Sequence, residues 1–567
     1  MQVRYLSDYK SQHAGIRAFN KESIVILWAD NWDDFGFKTT LNASAFVNGK
    51  EIELPRIKIL VKGENPTYKL LNQMSGDGWS GVFPIPDFDY ISVPSSIDFY
   101  ELIIGEGGLE FAKECAILLK DASFLAFLEQ DEVAISLLKE SGFNTSLQRD
   151  SSSIVVFNEG YKLFNDISIK INDFSFDFRI DDNHYALGFK FDPDKRILPT
   201  DVNVLIGPNG AGKSQTLHKI VSSWLSPHKS EPNGVFSEKI NISNLIVVSY
   251  SPFELFPVDL QGLDAQIDES IYNYFGLRQR KKKLDVDKST IVLSRTFPQK
   301  KAAQSLLNCV KDDFKFGAIK NWSNKITTLE NTLDGAFKFD FAAIEINSKV
   351  REDDLFPDLF GNKPVFTYKD KRYLEVSESL SDKLNFKLLD EHIVNHSGVH
   401  FFHHGNKIKL SSGQRLFSYI VINILGAIKK NSLIIVDEPE LFLHPSLEIS
   451  FVGMLKNILK LYFSKAILAT HSVVTVREVP SECVHVYKEE NGEIFINNPP
   501  FETFGGDIQR ISSYVFGDKT TSKPYESWVK EKLVEYQSAD NLIKAMGESI
   551  NEEMIMQIHA MEQDKWL

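Results

Sequence analysis

Four short and nearly continuous apolar runs mark the central part of the chain, and each ends in small or polar residues. Runs of five or six such residues are typical of strands that are buried on both faces of a parallel sheet. A segment with helical character follows the first run, and another precedes the third. The pattern therefore predicts an α/β core, with strands at Val202–Ile206, Asn244–Ser249, Ser432–Val436 and Ala466–Thr470.

The segments on either side of this core have different patterns. Residues 1–150 contain a hairpin signal, in which Ala45–Val47 turns through Asn48–Gly49 into Glu51–Leu54, and helical spacing further on. They predict an N-terminal α+β module whose role the sequence does not reveal. Residues 518–567 have apolar positions at helical spacing, and they predict a C-terminal tail of two or three helices that packs on its own domain or docks a partner.

A long insertion, at about residues 265–400, separates the second run from the third. Residues 302–332 have helical character, but their apolar positions do not keep a heptad repeat, so we expect a short helical arm rather than a long coiled coil. Residues 337–366 alternate between apolar and polar and contain prolines and a glycine, which predicts short strands and loops. The core domain with this insertion is expected to span residues 151–517.

A phosphate-binding sequence follows the first apolar run. Its glycines let backbone N–H groups converge on phosphates, Lys213 can place its charge on the β- and γ-phosphates, and the Ser214 hydroxyl can bind Mg²⁺. The strand before it and the helix after it make a chance match negligible. We therefore predict a site for ATP and Mg²⁺ that is formed by Gly207, Pro208, Asn209, Gly210, Ala211, Gly212, Lys213, Ser214 and Gln215.

Two acidic residues and a histidine follow the third and fourth runs. Asp437 is expected to hold Mg²⁺ through water, and Glu438 is expected to orient and deprotonate the attacking water. His471 follows the last run, where an imidazole can hydrogen-bond the γ-phosphate. Glu438 and His471 are therefore the candidate catalytic residues, and Ser214 and Asp437 are the candidate metal ligands.

The pentapeptide Leu410–Gln414 opens a helix between the phosphate-binding loop and the acidic pair. Its hydroxyl and backbone N–H groups form an anion site at a helix N-terminus that is aimed away from the nucleotide of the same chain. Such a site needs a second protomer. We therefore expect a homodimer or a higher even oligomer, in which the contact in trans is made by Ser411, Ser412, Gly413 and Gln414.

The order of these motifs resembles that of the ABC-type ATPases, and within this class the SMC, RecF and OLD-like proteins. The extended sequence Asp437–Pro445 and the stretch Thr503–Ile508 are most similar to the OLD-like branch. The resemblance covers about residues 170–517. It implies an α/β P-loop NTPase of ABC/SMC-head type in which the residues named above have the roles given there.

One position departs from the pattern of the ABC-type enzymes, which usually carry a glutamine after the strand that follows the P-loop helix. In this chain that strand, Asn244–Ser249, leads into Tyr250–Glu254, and no glutamine stands there. The role stays open among Ser251, Glu254 and the more distant Gln261.

Composition and charge narrow the class of protein further. The 567 residues are 43% hydrophobic and 25% charged, which is typical of a soluble globular protein of several domains. Three scattered cysteines, no apolar leader and no run of 18 apolar residues predict a cytoplasmic protein without membrane contact. The net charge of −14 repels nucleic acid at long range, so DNA or RNA contact would need a local patch.

One basic cluster in the insertion is the candidate for such a patch. Dense clusters of this kind are equally compatible with a solvated loop or with a face for the acidic regions of the same chain. The cluster consists of Arg278, Arg280, Lys281, Lys282 and Lys283.

The motifs together are most similar to those of the ATPase subunits of Septu anti-phage systems, including the retron-associated ones. The resemblance implies an ATP-hydrolysing dimer that controls a separate nuclease of HNH type and, if retron-linked, contacts a reverse transcriptase and its RNA–DNA product. No Asp-x-Asp follows His471, so we expect no built-in nuclease of the OLD type. The alternatives are a RecF/SMC-like DNA repair ATPase that acts directly on DNA, a transport-coupling ABC ATPase subunit, and a nucleotide sensor of low turnover.

Overall fold

The computed structural model describes residues 1–8, 23–30, 37–149, 151–180, 183–192, 194, 196–225, 234–237, 240–261, 271–281, 290–357, 363–380, 384–490, 492–517, 524–547 and 550–563. Within this range the chain forms two units, Met1–Gly505 and Gly506–Leu567.

A five-stranded sheet and its helices form the first part of the larger unit. The hairpin predicted at Asn48–Gly49 is confirmed, because both residues have positive φ (52° and 81°) and join two antiparallel strands. In this sheet the first two strands pair in parallel and the others antiparallel. The strands, in their order across the sheet, are β1 (Gln2–Leu6), β2 (Ile24–Ala29), β3 (Thr40–Val47), β4 (Lys50–Val61) and β5 (Tyr90–Pro94). The helices are α1 (Thr67–Gly76), α2 (Asp98–Gly107), α3 (Leu109–Leu119), α4 (Ala122–Phe124), α5 (Glu132–Leu137) and α6 (Ser151–Glu159).

The next elements include three strands of the central sheet, β8, β10 and β11, and a small antiparallel sheet. Phenylalanines of the small sheet pack with apolar residues of the helix that follows the phosphate-binding loop. The elements are β6 (Phe174–Ile180), β7 (Asn183–Phe189), β8 (Val202–Ile206), α7 (Lys213–Leu225), β9 (Gly234–Phe236), β10 (Asn244–Ser249), β11 (Tyr272–Gly276) and β12 (Arg278–Lys281). The small sheet has the order β7-β6-β9.

In its described residues the insertion contains four helices, the two-stranded sheet β12-β13 and a second five-stranded sheet, which we name the lid sheet. The helical character predicted for residues 302–332 is confirmed as two helices, and the strands predicted within 337–366 are confirmed at both ends of that segment. The lid sheet is antiparallel throughout, in the order β15-β16-β14-β17-β18. The elements are β13 (Thr290–Leu293), α8 (Phe297–Phe316), α9 (Lys325–Asp334), β14 (Phe341–Ile346), α10 (Glu352–Leu355), β15 (Val365–Tyr368), β16 (Lys371–Val376), α11 (Phe386–His392), β17 (Val399–His403) and β18 (Asn406–Lys407).

The remaining elements of the larger unit complete a seven-stranded central sheet. Its order is β11-β10-β19-β20-β8-β21-β22, and every pair except β21–β22 is parallel. All residues of β8, β10, β19 and β20 are buried, which confirms the buried parallel strands predicted from the four apolar runs. The new elements are α12 (Ser412–Ala427), β19 (Ser432–Asp437), α13 (Pro445–Leu461), β20 (Lys465–Thr470), α14 (Val473–Arg477), β21 (Val484–Glu490) and β22 (Glu493–Asn497). Short helical turns lie at Leu125–Glu129, Phe143–Leu147, Gly160–Asn165, Glu378–Leu380, Asn395–Ser397, Pro439–Phe442 and Ser481–Cys483.

The front module and the insertion are both tied to the central sheet by packing and ion pairs. Helix α12 packs on α8 at Gly426, where an added Cβ would lie 2.5 Å from the Ser305 carbonyl oxygen, so only glycine allows this approach. Glu101 of α2 pairs with Lys430 at 3.0 Å, just before β19. The front sheet and its helices are thereby held against the strand that carries the acidic pair.

The smaller unit is helical, as predicted for the tail. Among its described residues, a core of Val529, Leu533, Ala539, Leu542 and Ile558 joins the last three helices. Its helices are α15 (Ile508–Phe516), α16 (Pro524–Tyr536), α17 (Ala539–Met546) and α18 (Glu552–Gln563).

A buried histidine in the central sheet makes the stability of the larger unit sensitive to acid. His485 of β21 lies 5.3 Å from the Phe189 ring, centroid to centroid, and its Nε2 has no hydrogen-bond partner in the described part of the chain. Burial, with a smaller contribution from the charge of Lys190, lowers the pKa of His485 to about 4. The unfolded chain therefore binds a proton that the folded chain does not between pH 6.5 and 4, so stability falls as the pH falls through this window.

We expect His485→Met to remove most of this acid sensitivity. Between pH 7 and pH 4 the wild type should lose about 3 kcal/mol more stability than the variant, since each pKa unit is worth about 1.4 kcal/mol. Urea unfolding at several pH values measures the difference. His184→Met, at an exposed position of β7, is the control and should follow the wild type. Equal pH dependence in His485→Met and the wild type would contradict the expectation.

Candidate active site

The phosphate-binding loop lies between β8 and α7, where its glycines adopt conformations that other residues avoid. Gly210 and Gly212 have φ of 83° and 89°. An added Cβ at Gly207 would lie 2.4 Å from the Tyr487 carbonyl oxygen of β21. The conformation of the loop therefore requires glycine for two reasons: two positions have positive φ, and a third lies too close to the neighbouring strand for a side chain.

Lys213, the first residue of α7, folds back over its own loop. Its Nζ donates to the carbonyl oxygens of Gly207 and Pro208, each at 2.9 Å, and lies 3.2 Å from His471 Nε2. Burial lowers the pKa of Lys213 to about 8, although Glu438 and other carboxylates oppose this shift. The ammonium group is thus held at the loop, where the phosphates of a nucleotide could replace the two carbonyl oxygens as its partners.

Ser214 and Asp437 meet across the central sheet, as candidate metal ligands should. The Ser214 hydroxyl donates to Asp437 Oδ1 at 2.8 Å. Burial, together with the nearby Glu438 and Glu254, raises the pKa of Asp437 to about 7, although Ser214 and Lys213 oppose the shift. Oxygen donors and crowded carboxylates form a site that suits a hard divalent cation. The residues present therefore fit Mg²⁺, which Ser214 and Asp437 would hold.

Glu438, the candidate base, lies directly after β19 in a left-handed conformation with φ of 50°. Its backbone N–H donates to the Ala469 carbonyl oxygen of β20 at 2.9 Å. Non-glycine residues in this conformation store strain and are frequent at functional sites. The carboxylate oxygen Oε1 lies 3.5 Å from His471 Nε2, so the two candidate catalytic side chains are neighbours.

His471 lies between the lysine of the loop and the candidate base. Burial and the charge of Lys213 lower the pKa of His471, while Glu438 opposes the shift. The neutral ring can accept a hydrogen bond from Lys213 at Nε2 or donate one to Glu438 from the same atom, but not both. The imidazole can therefore change partners as the charges around it change.

Glu440 is a residue of this site for which the sequence predicted no role. Its Oε1 accepts a hydrogen bond from the backbone N–H of His471. Burial raises the pKa of Glu440. The contact ties the turn after β19 to the end of β20. The only signal in the sequence was a second glutamate two positions after Glu438.

The structure also places Glu254, one of the three candidates for the missing glutamine, in a defined network. Its carboxylate accepts hydrogen bonds from the Tyr274 hydroxyl, from Arg278 Nη1 at 3.2 Å and from the Phe256 backbone N–H at 2.6 Å. Its charge also raises the pKa of Asp437. Glu254 thus lies close enough to influence the candidate metal site, while its own oxygens are held by the loop around it.

The pentapeptide that should act in trans forms a capping box at the start of α12. Ser411 Oγ accepts from the Gln414 backbone N–H at 3.2 Å, and Gln414 Oε1 accepts from the Ser411 backbone N–H at 3.1 Å. Ser411 and Ser412 are exposed. Within the described chain these are the hydrogen bonds of the Ser411 and Gln414 side chains, and none of them goes to the phosphate-binding loop of the same chain.

The basic cluster of the insertion is partly occupied by internal ion pairs. Arg278 pairs with Glu254, and Arg280 pairs with Asp259 through Nε and Nη2, each at 2.8 Å. Lys281 is exposed at the end of β12, whereas Lys282 and Lys283 lie outside the described residues. The two arginines therefore form ion pairs with acidic residues of the same chain.

The described residues form an α/β fold in which a glycine-rich loop joins a parallel strand to a helix, as expected for the predicted fold class. The sequence model of one protein family, described as "AAA domain, putative AbiEii toxin, Type IV TA system", matches residues 312–477. Among curated proteins, Protein ea59 of Escherichia phage lambda is 23% identical over 539 residues, and the alignment covers 91% of each chain.

The solved structures that match include an SMC head domain and an ATP-binding cassette. The SMC head domain from Thermotoga maritima is 12% identical with a TM-score of 0.26, and the alignment covers 59% of this chain and 100% of that one. A nucleotide-free ATP-binding cassette from an ABC transporter is 12% identical with a TM-score of 0.26, and the alignment covers 57% of this chain and 91% of that one. Among the described residues no helix is long and apolar enough to cross a membrane.

We expect Glu440→Ala to lower the turnover of ATP about tenfold to a hundredfold, because a small displacement of His471 misplaces it at the reacting centre. The KM for ATP should change little, since the lysine and the loop are intact. Glu440→Gln should keep most of the activity, because its amide oxygen can still accept from the His471 N–H. Steady-state ATPase kinetics measure both variants. Equal loss in the two variants would show that the charge of Glu440, and not its hydrogen bond, matters.

Proposed function

We propose that the chain binds and hydrolyses ATP as a homodimer or a higher even oligomer. The observation that carries this proposal is one continuous set of contacts at the carboxyl edge of the central sheet. Lys213 lies beside His471, His471 lies beside Glu438, and the serine after the lysine is bonded to the aspartate before Glu438. This combination of a lysine, a hydroxyl, two carboxylates and an imidazole is typical of the active site of a nucleoside triphosphatase.

Each residue has a role in this proposal that follows from its atoms. Lys213 moves from the carbonyl oxygens of its loop to the β- and γ-phosphates. Glu438 orients a water molecule in line with the γ-phosphorus and takes its proton. Mg²⁺, held by Ser214 and Asp437, would neutralise charge on the β- and γ-phosphates. His471 hydrogen-bonds the γ-phosphate, and its Nε2 lies within reach of both Lys213 and Glu438.

The second protomer is proposed because Ser411 is exposed and because, among the described residues, the side chains of the capping box form hydrogen bonds only with each other's backbone. A serine hydroxyl and free N–H groups at the start of a 16-residue helix attract an anion. Closure of each site by Ser411, Ser412, Gly413 and Gln414 of the other protomer would make nucleotide occupancy control the shape of the dimer.

The trans contact predicts complementation between two inactive variants. Lys213→Ala should not bind ATP, whereas Ser411→Arg should bind ATP but not hydrolyse it. In a mixed dimer one site combines the intact loop of the Ser411→Arg protomer with the intact pentapeptide of the Lys213→Ala protomer, so hydrolysis should return. Co-expression with two different tags isolates this dimer for ATPase assays.

Ser538→Arg is the matched control, because Ser538 also caps a helix, through the Asn541 N–H at 3.2 Å. It loses the same kind of cap and should keep wild-type hydrolysis. Hydrolysis by Ser411→Arg alone at the wild-type rate would refute closure in trans.

We further propose that this ATPase belongs to an antiviral system and controls a separate nuclease of HNH type, as in Septu systems. One finding supports this setting, because the description of the matching family, "AAA domain, putative AbiEii toxin, Type IV TA system", names a toxin of a toxin–antitoxin system. If the gene is linked to a retron, the proposal also includes contact of this chain with the reverse transcriptase of the retron and with its RNA–DNA product.

The antiviral role is tested with phage. Cells that carry the gene with its neighbouring nuclease gene should form fewer plaques than cells with either gene alone. Glu438→Gln should change this protection, because ATP would still bind but the water would lack its base. Unchanged plaque numbers, together with DNA binding by the isolated protein, would favour the repair ATPase instead.

A further inference from the structure

A cavity of about 550 Å³ lies between the lid sheet and the start of α12, and we name it the lid pocket. Leu410, the first residue of the pentapeptide, lines it, as does Tyr419 of α12. The remaining walls come from α8, the β15–β16 hairpin, the turn before β17, β17 itself and the hairpin after it. The lining is rich in cations, which are Lys369, Lys371, Lys407, Lys409 and Arg415.

Most of these cations have no acidic partner. Lys371 pairs with Glu345 at 2.9 Å. In the described part of the chain, Lys369, Lys407, Lys409 and Arg415 form no ion pair with a carboxylate. The chain as a whole carries a net charge of −14, so four unpaired cations around one cavity are not a result of its composition. They create a local positive potential that an anion would neutralise.

Two of the lysines lie against aromatic rings instead of carboxylates. Lys369 Nζ lies 5.4 Å from the centroid of the Tyr368 ring, and Lys407 Nζ lies 5.8 Å from that of the Tyr373 ring. A cation–π contact holds an ammonium group without neutralising its charge. The N–H groups of these lysines therefore stay available for a ligand that carries several negative charges.

The wall behind the lysines is ordered by a hydrogen-bond network. The Ser397 hydroxyl donates to Glu345, which leaves its oxygen to accept from His400 Nε2 at 2.7 Å. Burial and the charge of Lys407 lower the pKa of His400 to about 4, so this ring is neutral at pH 7. Burial and the charge of Lys371 lower the pKa of Lys407. The cations thus crowd one another around a rigid polar wall.

We infer that the lid pocket is a second anion site, which binds a chain of phosphates through Lys369, Lys407, Lys409 and Arg415. The chemistry is that of the phosphodiester backbone of a single-stranded nucleic acid or of the polyphosphate of a free nucleotide. The site is separate from the phosphate-binding loop, so it goes beyond the proposed ATPase function. A ligand here would contact the segment that leads into Ser411 and could thereby change the position of the pentapeptide.

The test is direct binding to the full chain. A fluorescent oligothymidylate is followed by anisotropy, and inorganic tripolyphosphate and ATP are added as competitors. Binding should be salt-dependent, and Lys369→Ala/Lys407→Ala should weaken it at least tenfold and reduce the salt slope by about 1.4, as expected for two lost single-strand phosphate contacts. Lys213→Ala should bind the oligonucleotide as the wild type does, because it alters the other phosphate site.

Lys349→Ala is the matched control, since it removes an exposed lysine of the same insertion and should leave binding unchanged. If tripolyphosphate and ATP displace the oligonucleotide from Lys213→Ala, or bind there without it, the ligand is a free polyphosphate. If only oligonucleotides bind, it is a nucleic acid. Binding of neither ligand, or binding that survives Lys369→Ala/Lys407→Ala, would overturn the inference. The ATPase rate of the double variant without ligand should equal that of the wild type, which separates this result from failure of the ATPase proposal.

Discussion

The parallel register of three central strands is the constraint on which the candidate site depends. β20 pairs with β8 so that Thr470 lies opposite Ile206, and it pairs with β19 so that Ala469 lies opposite Asp437. The carboxyl ends of parallel strands lie at the same edge of a sheet. The phosphate-binding loop, the acidic pair and the histidine therefore lie next to one another at that edge. Ser214 and Asp437 are hydrogen-bonded although 223 positions separate them in the sequence.

The same register buries charged groups together at that edge, and this burial shifts their pKa values. Burial and neighbouring carboxylates raise the pKa of Asp437 to about 7, while burial lowers the pKa of Lys213 to about 8. Both pKa values lie near neutral pH, so a small change in the surroundings of either group changes its protonation. A divalent cation or a phosphate that entered would replace internal partners that are already in place, so little of the protein would need to be rearranged.

The insertion links this edge to the rest of the molecule. Helix α8 packs on α12 through Gly426, and the lid sheet continues directly into the pentapeptide at the start of α12. The front module is joined to the segment before β19 by Glu101 and Lys430. Both additions therefore contact elements that end at the candidate site.

Local sequence was enough to predict the strands of the core and to select candidate site residues that lie together in the folded chain. The four apolar runs, the glycines of the loop and the Asn48–Gly49 turn each act over a few residues, so a window of the chain contains their cause. The role of Glu440, the network of Glu254 and the internal pairing of Arg278 and Arg280 were not predictable, because each depends on a partner from another element. The same holds for the lid pocket, whose cations are spread from residue 369 to residue 415. The sequence by itself determined which groups the site contains, and only the tertiary structure decided which charges are already paired and which remain free, because pairing is set by distance in the folded chain.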